Sequence, residues 1–188
     1  MLFRSDLYVG NGRVRLGMDQ PDPADPYAEP STLHRGTGPG RFAMVPNAGE
    51  TNAIPGVARG LAAGDLDNDG AIDLVVVQRN GPARVLRNVS AAQRRWLMLR
   101  VEDSRGRESR NAIIRVDAGG VAQWRQCQPN EGYNSSNDPR VHFGLGNAAR
   151  ADRVVVRWPG GKAEDFGPHD ANKIHTLREG SGRPAADR

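Results

Sequence analysis

The stretch Gly64-Asp65-Leu66-Asp67-Asn68-Asp69-Gly70-Ala71-Ile72-Asp73-Leu74-Val75-Val76-Val77 constrains this chain more than any other. It sets four carboxylates, at Asp65, Asp67, Asp69 and Asp73, around a glycine at Gly70 and then runs into apolar, mostly β-branched residues. Negative charges so crowded repel one another in a folded loop unless a cation cancels them, and Ca²⁺ favours many oxygen ligands in a flexible cage. The alternate spacing lets Asp65, Asp67 and Asp69 point into one concave turn, while Gly70 takes a backbone geometry that a side chain resists. The carbonyl of Ala71 would supply a further oxygen, and Asp73 would close the shell. The pattern therefore predicts a Ca²⁺ loop with Asp65, Asp67, Asp69, Ala71 and Asp73 as ligands. An ordinary acidic turn is the plainer alternative, since Asp, Asn and Gly are turn residues.

The loop is not an EF-hand, which wants a bidentate Glu at its twelfth position and a helix after it. Counting from Asp65, that position is Val76, and the residues after Asp73 have the composition of a buried strand. GDLDNDGAIDLVVV resembles the calcium loop of FG-GAP/VCBS-type repeats, the β-propeller blade unit. The resemblance implies a four-stranded blade with the metal in a hairpin loop. Asp6-Leu7-Tyr8-Val9-Gly10-Asn11-Gly12 reads as a second copy of the unit that starts at Asp73: an Asp, an apolar strand, then an Asn-Gly turn. Met1 is accordingly expected to cut into a repeat of a longer array.

Composition agrees with an all-β chain. Thirteen prolines and 23 glycines punctuate many short apolar segments. Cys127 has no partner for an internal disulfide. No run is long or apolar enough to cross a bilayer, and the first residues lack the apolar core of a secretion signal. The net charge is +4, and all but Lys162 and Lys173 of the 26 basic residues are arginines. They are scattered among acids rather than gathered on a helix or interleaved with aromatics, which argues against a nucleic-acid binder.

Along the N-terminal half, Arg13-Val14-Arg15-Leu16 is expected to be the return strand of a hairpin. Gln20–Pro30 reads as an exposed Pro/Asp loop, and Gly36–Gly40 as a tight hairpin turn rather than a phosphate loop, because no P-loop lysine or helix follows. Asn47–Gly60 reads as a surface loop before a strand at Leu61, and Arg84–Asn88 as the unit's last strand. Ser90–Gln93 reads as a linker. Asn88-Val89-Ser90 and Asn134-Ser135-Ser136 fit glycosylation sequons.

A second unit then begins, with strands expected at Trp96–Val101, Ala112–Val116, Val121–Cys127, Val141–Gly146 and Val154–Trp158. Strand, turn and strand at this spacing suggest a small β-sandwich. Trp96-Leu97, Ser109–Ile113, Gly132-Tyr133, Asn137–Gly146 and Val154–Gly161 resemble, in that order, an ASPIC/UnbV domain, which follows FG-GAP-type repeats in cartilage acidic protein-like proteins. The pattern of that family has a glycine after the Ala-Ile pair, then Ala-Arg-Val. Here Ile114-Arg115-Val116 follows directly, so a change of register or a lost bulge is expected in that strand.

The organisation expected is thus residues 1–90 as an FG-GAP-like repeat region, 91–180 as an ASPIC/UnbV-like sandwich, and 181–188 as a frayed tail. No enzyme is expected. The candidates His142, His169, His175 and Cys127 lack a catalytic setting: His142 lies between apolar Val141 and Phe143, Asp165, His169 and Asp170 fall in a Pro/Gly loop without metal-ligand spacing, and no Cys-His signature surrounds Cys127. Trp124, Tyr133 and Trp158 are candidates for a sugar-binding face or for the core. The function expected is a Ca²⁺-stabilised, non-catalytic module for a protein or carbohydrate ligand, with an extracytoplasmic setting implied by the resemblance. The alternative is an accessory, carbohydrate-binding domain of a larger enzyme.

Overall fold

The computed structural model describes residues 6–14, 27–46, 48–49, 55–89, 94–130 and 132–185. Every regular element among them is a β-strand, and the fourteen strands form four sheets. None of these sheets is closed or propeller-like, so all-β holds while a propeller arrangement is not seen among the described residues.

In the N-terminal half, β1 (Leu7–Val9), β2 (Thr32–Gly38) and β3 (Arg41–Met44) make one antiparallel sheet. A second holds β4 (Ala58–Gly64), β5 (Asp73–Gln78) and β6 (Arg84–Leu86). The β4–β5 hairpin carries the acidic loop, closed by Gly64 opposite Asp73. Arg13 and Val14 do not form the expected return strand. The β1 strand pairs with β2 instead, and Arg59 captures the carbonyls of Gly12 and Arg13. Strand β4 begins at Ala58 rather than Leu61, because Val57 and Ala58 are buried. The expectations for Arg15-Leu16, most of Gln20–Pro30, part of Asn47–Gly60 and Ser90–Gln93 lie outside the described residues.

In the C-terminal half, β7 (Arg95–Glu102) sits between β10 (Val141–Gly146) and β13 (Lys173–Arg178). The facing sheet runs β14 (Arg183–Pro184), β12 (Ala163–Asp170), β11 (Arg150–Arg157), β8 (Ile113–Ala118), β9 (Val121–Gln126). Alternate residues of both sheets point inward and build one core around Leu97, Leu99, Ile114, Val116, Phe143, Val154, Val156 and Trp158. Each large side chain so buried contributes roughly 1.5–3 kcal/mol. Trp158 is therefore core, in edge-to-face contact with Phe166, and no sugar-binding residue.

Three features depart from the expected plan. Asp165, His169 and Asp170 belong to strand β12, not to a loop. Gly167 (φ +73°) and Pro168 look like breakers, but a register irregularity against β11 at Val154 absorbs them. Strand β8 pairs with β9 and β11 without any register shift, so the Ile114-Arg115-Val116 departure leaves no bulge. The tail expected to fray from Ser181 is tied down through Ala185. Arg183 and Pro184 pair with β12, and the Glu164 carboxylate accepts the amides of Gly180 and Gly182.

Candidate metal site

Of the five residues expected to bind a cation, Asp65, Asp67 and Asp73 converge, with one carboxylate oxygen from each lying within 4.8 Å of the others. Two oxygens sharing a Ca²⁺ at about 2.3–2.6 Å stand no more than about 5 Å apart, so the separation suits one ion. Asp65 and Asp73 are both 3% exposed. Asp65 accepts the amides of Asp69 and Gly70, and Asp73 those of Leu66 and Asn88. Each carboxylate oxygen has a second lone pair, so these bonds orient the acids without using them up. Asp69 is not in the converging group; its Oδ1 takes the amide of Ala71 at 2.8 Å. Ala71 itself is buried there.

The donor set is all oxygen, the chemistry a hard cation prefers. A positive stand-in already lies beside it: Arg87 Nη2 is 2.6 Å from Asp67 Oδ2 and 3.7 Å from Asp69 Oδ2. With Arg87 and Asp67 both largely exposed, that pair contributes only about 0–1 kcal/mol. The residues therefore fit a metal ion. Nothing in the sequence marks Arg87, which follows Asp73 by 14 residues with Arg79 and Arg84 nearer the acids.

The outer side of the loop faces the C-terminal sheet. Gly70 has φ +87°, and a Cβ added to it would lie 1.9 Å from the Trp96 indole nitrogen. No other residue fits on both counts. His142 Nε2 lies 2.9 Å from the Gly70 carbonyl. A carbonyl only accepts, so Nε2 carries the proton. Burial pushes this ring below its ordinary value of 6.5, which keeps it neutral at pH 7. Arg140 donates to the Asp65 carbonyl at 2.8 Å and to Asn68 Oδ1 at 2.6 Å, and its guanidinium also holds Asp138. Burial works to raise the Asp138 carboxyl, but its bonds to Arg140 prevail and hold it below the usual range.

The next segment covers the edge of β4. Ser135 Oγ and Asn137 Oδ1 accept the amides of Leu61 and Ala63, and the Asp138 amide donates to the Ala63 carbonyl. Trp96, Met98 and His142 alternate with the core residues and so point away from the core. Met98 is nevertheless only 1% exposed. The outer face of the β10-β7-β13 sheet is thus covered where the loop sits. The run Leu97-Met98-Leu99, which breaks a period of two, is the sequence signal for burial on both faces.

Other chemically capable groups stand apart from this site. His169 and His175 meet edge-to-face with ring centroids 4.7 Å apart, and His175 Nε2 faces the Asp170 carbonyl. Burial raises the Cys127 thiol to about 12, so it is not a nucleophile at neutral pH.

Residues 102–184 match the family model described as ASPIC and UnbV, so the C-terminal half carries such a domain. Over 120 residues the chain is 28% identical to cartilage acidic protein 1 of Xenopus tropicalis and 29% identical to those of Mus musculus and Homo sapiens. These alignments cover 62% of this chain and 18% of each relative. No helix among the described residues is long and apolar enough to span a membrane.

Proposed function

We propose that the β4–β5 loop is a structural Ca²⁺ site of FG-GAP type and that the chain is a non-catalytic binding or adhesion module acting outside the cytoplasm. The observation that carries the cation reading is the convergence of Asp65, Asp67 and Asp73 within 4.8 Å, on an all-oxygen donor set. Asp65, Asp67 and Asp73 would hold the ion, with Asp69 shaping the turn. Bound Ca²⁺ would supply charge neutralisation and cross-linking of β4 to β5. The non-catalytic reading is supported by how the reactive groups are engaged: His142 is committed to a backbone carbonyl and Cys127 is protonated. The extracytoplasmic setting is supported by the relatives' name, which speaks of cartilage. That name also says acidic, whereas this chain carries +4.

A second reading, an accessory carbohydrate-binding domain, draws on Trp124 and Tyr133. They are 50% and 80% exposed, and the Arg115 guanidinium lies over the Trp124 ring. The deciding experiment for the cation is thermal unfolding with Ca²⁺ and with excess chelator. Ligand at a hundred times its dissociation constant adds about 2.7 kcal/mol, so chelation should lower the melting temperature by several degrees and expose residues 58–88 first. A melting curve unmoved by chelator would end this reading.

A further inference from the structure

We propose that Trp96, Arg140 and His142 are positioning residues for the cation loop, which reaches its ligand geometry only while seated on the outer face of the β10-β7-β13 sheet. This rests on the cation reading above. None of the three offers a ligand. Each instead holds the loop at a place the chain would not keep alone. Asn68 and Gly70 both have left-handed backbones, φ +60° and +87°. Those two residues are where the sheet takes hold. Arg140 Nη1 grips the Asn68 side chain, His142 Nε2 donates to the Gly70 carbonyl, and the Trp96 indole fills the space above Gly70.

The left-handed region is one that side chains other than Asn and Asp rarely adopt, and the acids on either side repel one another. Left to itself such a loop would open. The seat fixes the peptide planes on both sides of Asp67 and Asp69, through the Asp65 carbonyl below and the Gly70 carbonyl above. Direction of the peptide planes decides whether the carboxylates meet at one point. The loop is therefore completed by residues that follow it in the sequence, Trp96 about 26 positions on and Arg140 and His142 more than 70 positions on. Cation binding and docking of the hairpin on the sandwich become one event.

The test uses the full chain and Ca²⁺, with affinity measured by calorimetry and amide exchange followed at residues 58–73, 94–98 and 138–142. His142→Leu and Arg140→Met should each weaken Ca²⁺ binding about 10–100-fold, the range found for groups that orient metal ligands from behind. His142→Gln, which restores an N–H donor, should stay within about threefold of the parent. Adding Ca²⁺ to the parent should slow exchange at 94–98 and 138–142 as well as in the loop. Parent-like affinity in both His142→Leu and Arg140→Met overturns the proposal, as does Ca²⁺ protection confined to residues 58–73. If His142→Leu loses its near-ultraviolet dichroism, Arg140→Met alone decides. A parent protein that binds no Ca²⁺ refutes instead the cation reading itself.

Discussion

The two halves of this chain solve the problem of stability differently. In residues 94–185 the buried apolar side chains, Met98 apart, form one continuous core shared by two facing sheets. In the described part of residues 6–89 the buried hydrophobics are only Ala28, Val57, Ala58, Ala71 and Val76, mostly small. Phe42, Met44, Val77 and Val85 stand about half exposed or more on the same sheets. A three-stranded sheet without a packed face is marginal in water. The N-terminal sheet that carries the acidic loop is held by polar links instead: carboxylates on backbone amides, and a seam of hydrogen bonds to residues 135–142. The sandwich could stand on apolar burial, whereas the hairpin depends on its neighbour and on charge balance.

The sharpest way to break this contrast is to cut into each half. Phe143→Ala, at a site with no exposed surface, should cost about 3–5 kcal/mol and unfold the sandwich and hairpin together in a denaturant titration. Val85→Ala, 62% exposed on β6, should stay within about 0.5 kcal/mol. Equal losses would mean that the N-terminal sheets have a core of their own.

Gly70→Ala probes the seam between the halves. Its Cβ would overlap the Trp96 indole and meet a positive φ, so a loss of about 1–3 kcal/mol is expected. Amide protection should fall over 58–73 and 94–98, with the Phe143 core unmoved. A further small effect concerns pH. Burial, with help from the like charge of His175, lowers the His169 pKa below its ordinary 6.5, and the Gly167 carbonyl and Asp170 only partly oppose this. A lowered histidine favours the neutral folded state, so its contribution is complete above pH 6.5 and is lost as pH falls from there through the lower value of the folded state. His169→Gln should flatten the loss of melting temperature between pH 7 and 5.5 by no more than about 2 °C.

Much of this was legible from residues alone, for local reasons. The alternation of Asp65, Asp67 and Asp69 before Gly70, and the β-branched run after Asp73, specify a turn and its exit strand with no help from elsewhere. The strand at Val141 follows from period-two apolar patterning, and those at Trp96 and Val154 from short continuous apolar runs. What stayed hidden is non-local. Nothing near Lys173 announces that β13 will lie parallel to β7 in the sheet opposite β12. Gly167 and Pro168 carry the local signature of a break, and only pairing with β11 overrides it. Likewise, the site looked like five ligands in one segment. Folding brings Arg87, Trp96, Arg140 and His142 against that segment.

The parallel β13–β7 pairing has a consequence for the order of assembly. Strand β7 is the first of the sandwich to be synthesised, yet one of its neighbours is among the last, with Arg178 set against Glu102. Closing so wide a loop carries an entropic penalty before any burial offsets it, which makes topologies of this kind slow to fold. Until β13 arrives, the Trp96 platform is bordered on one side only, and the aspartate hairpin emerging ahead of it has nowhere finished to rest. The aspartate hairpin, made before the sandwich, thus finds its finished seat only after β13 has paired.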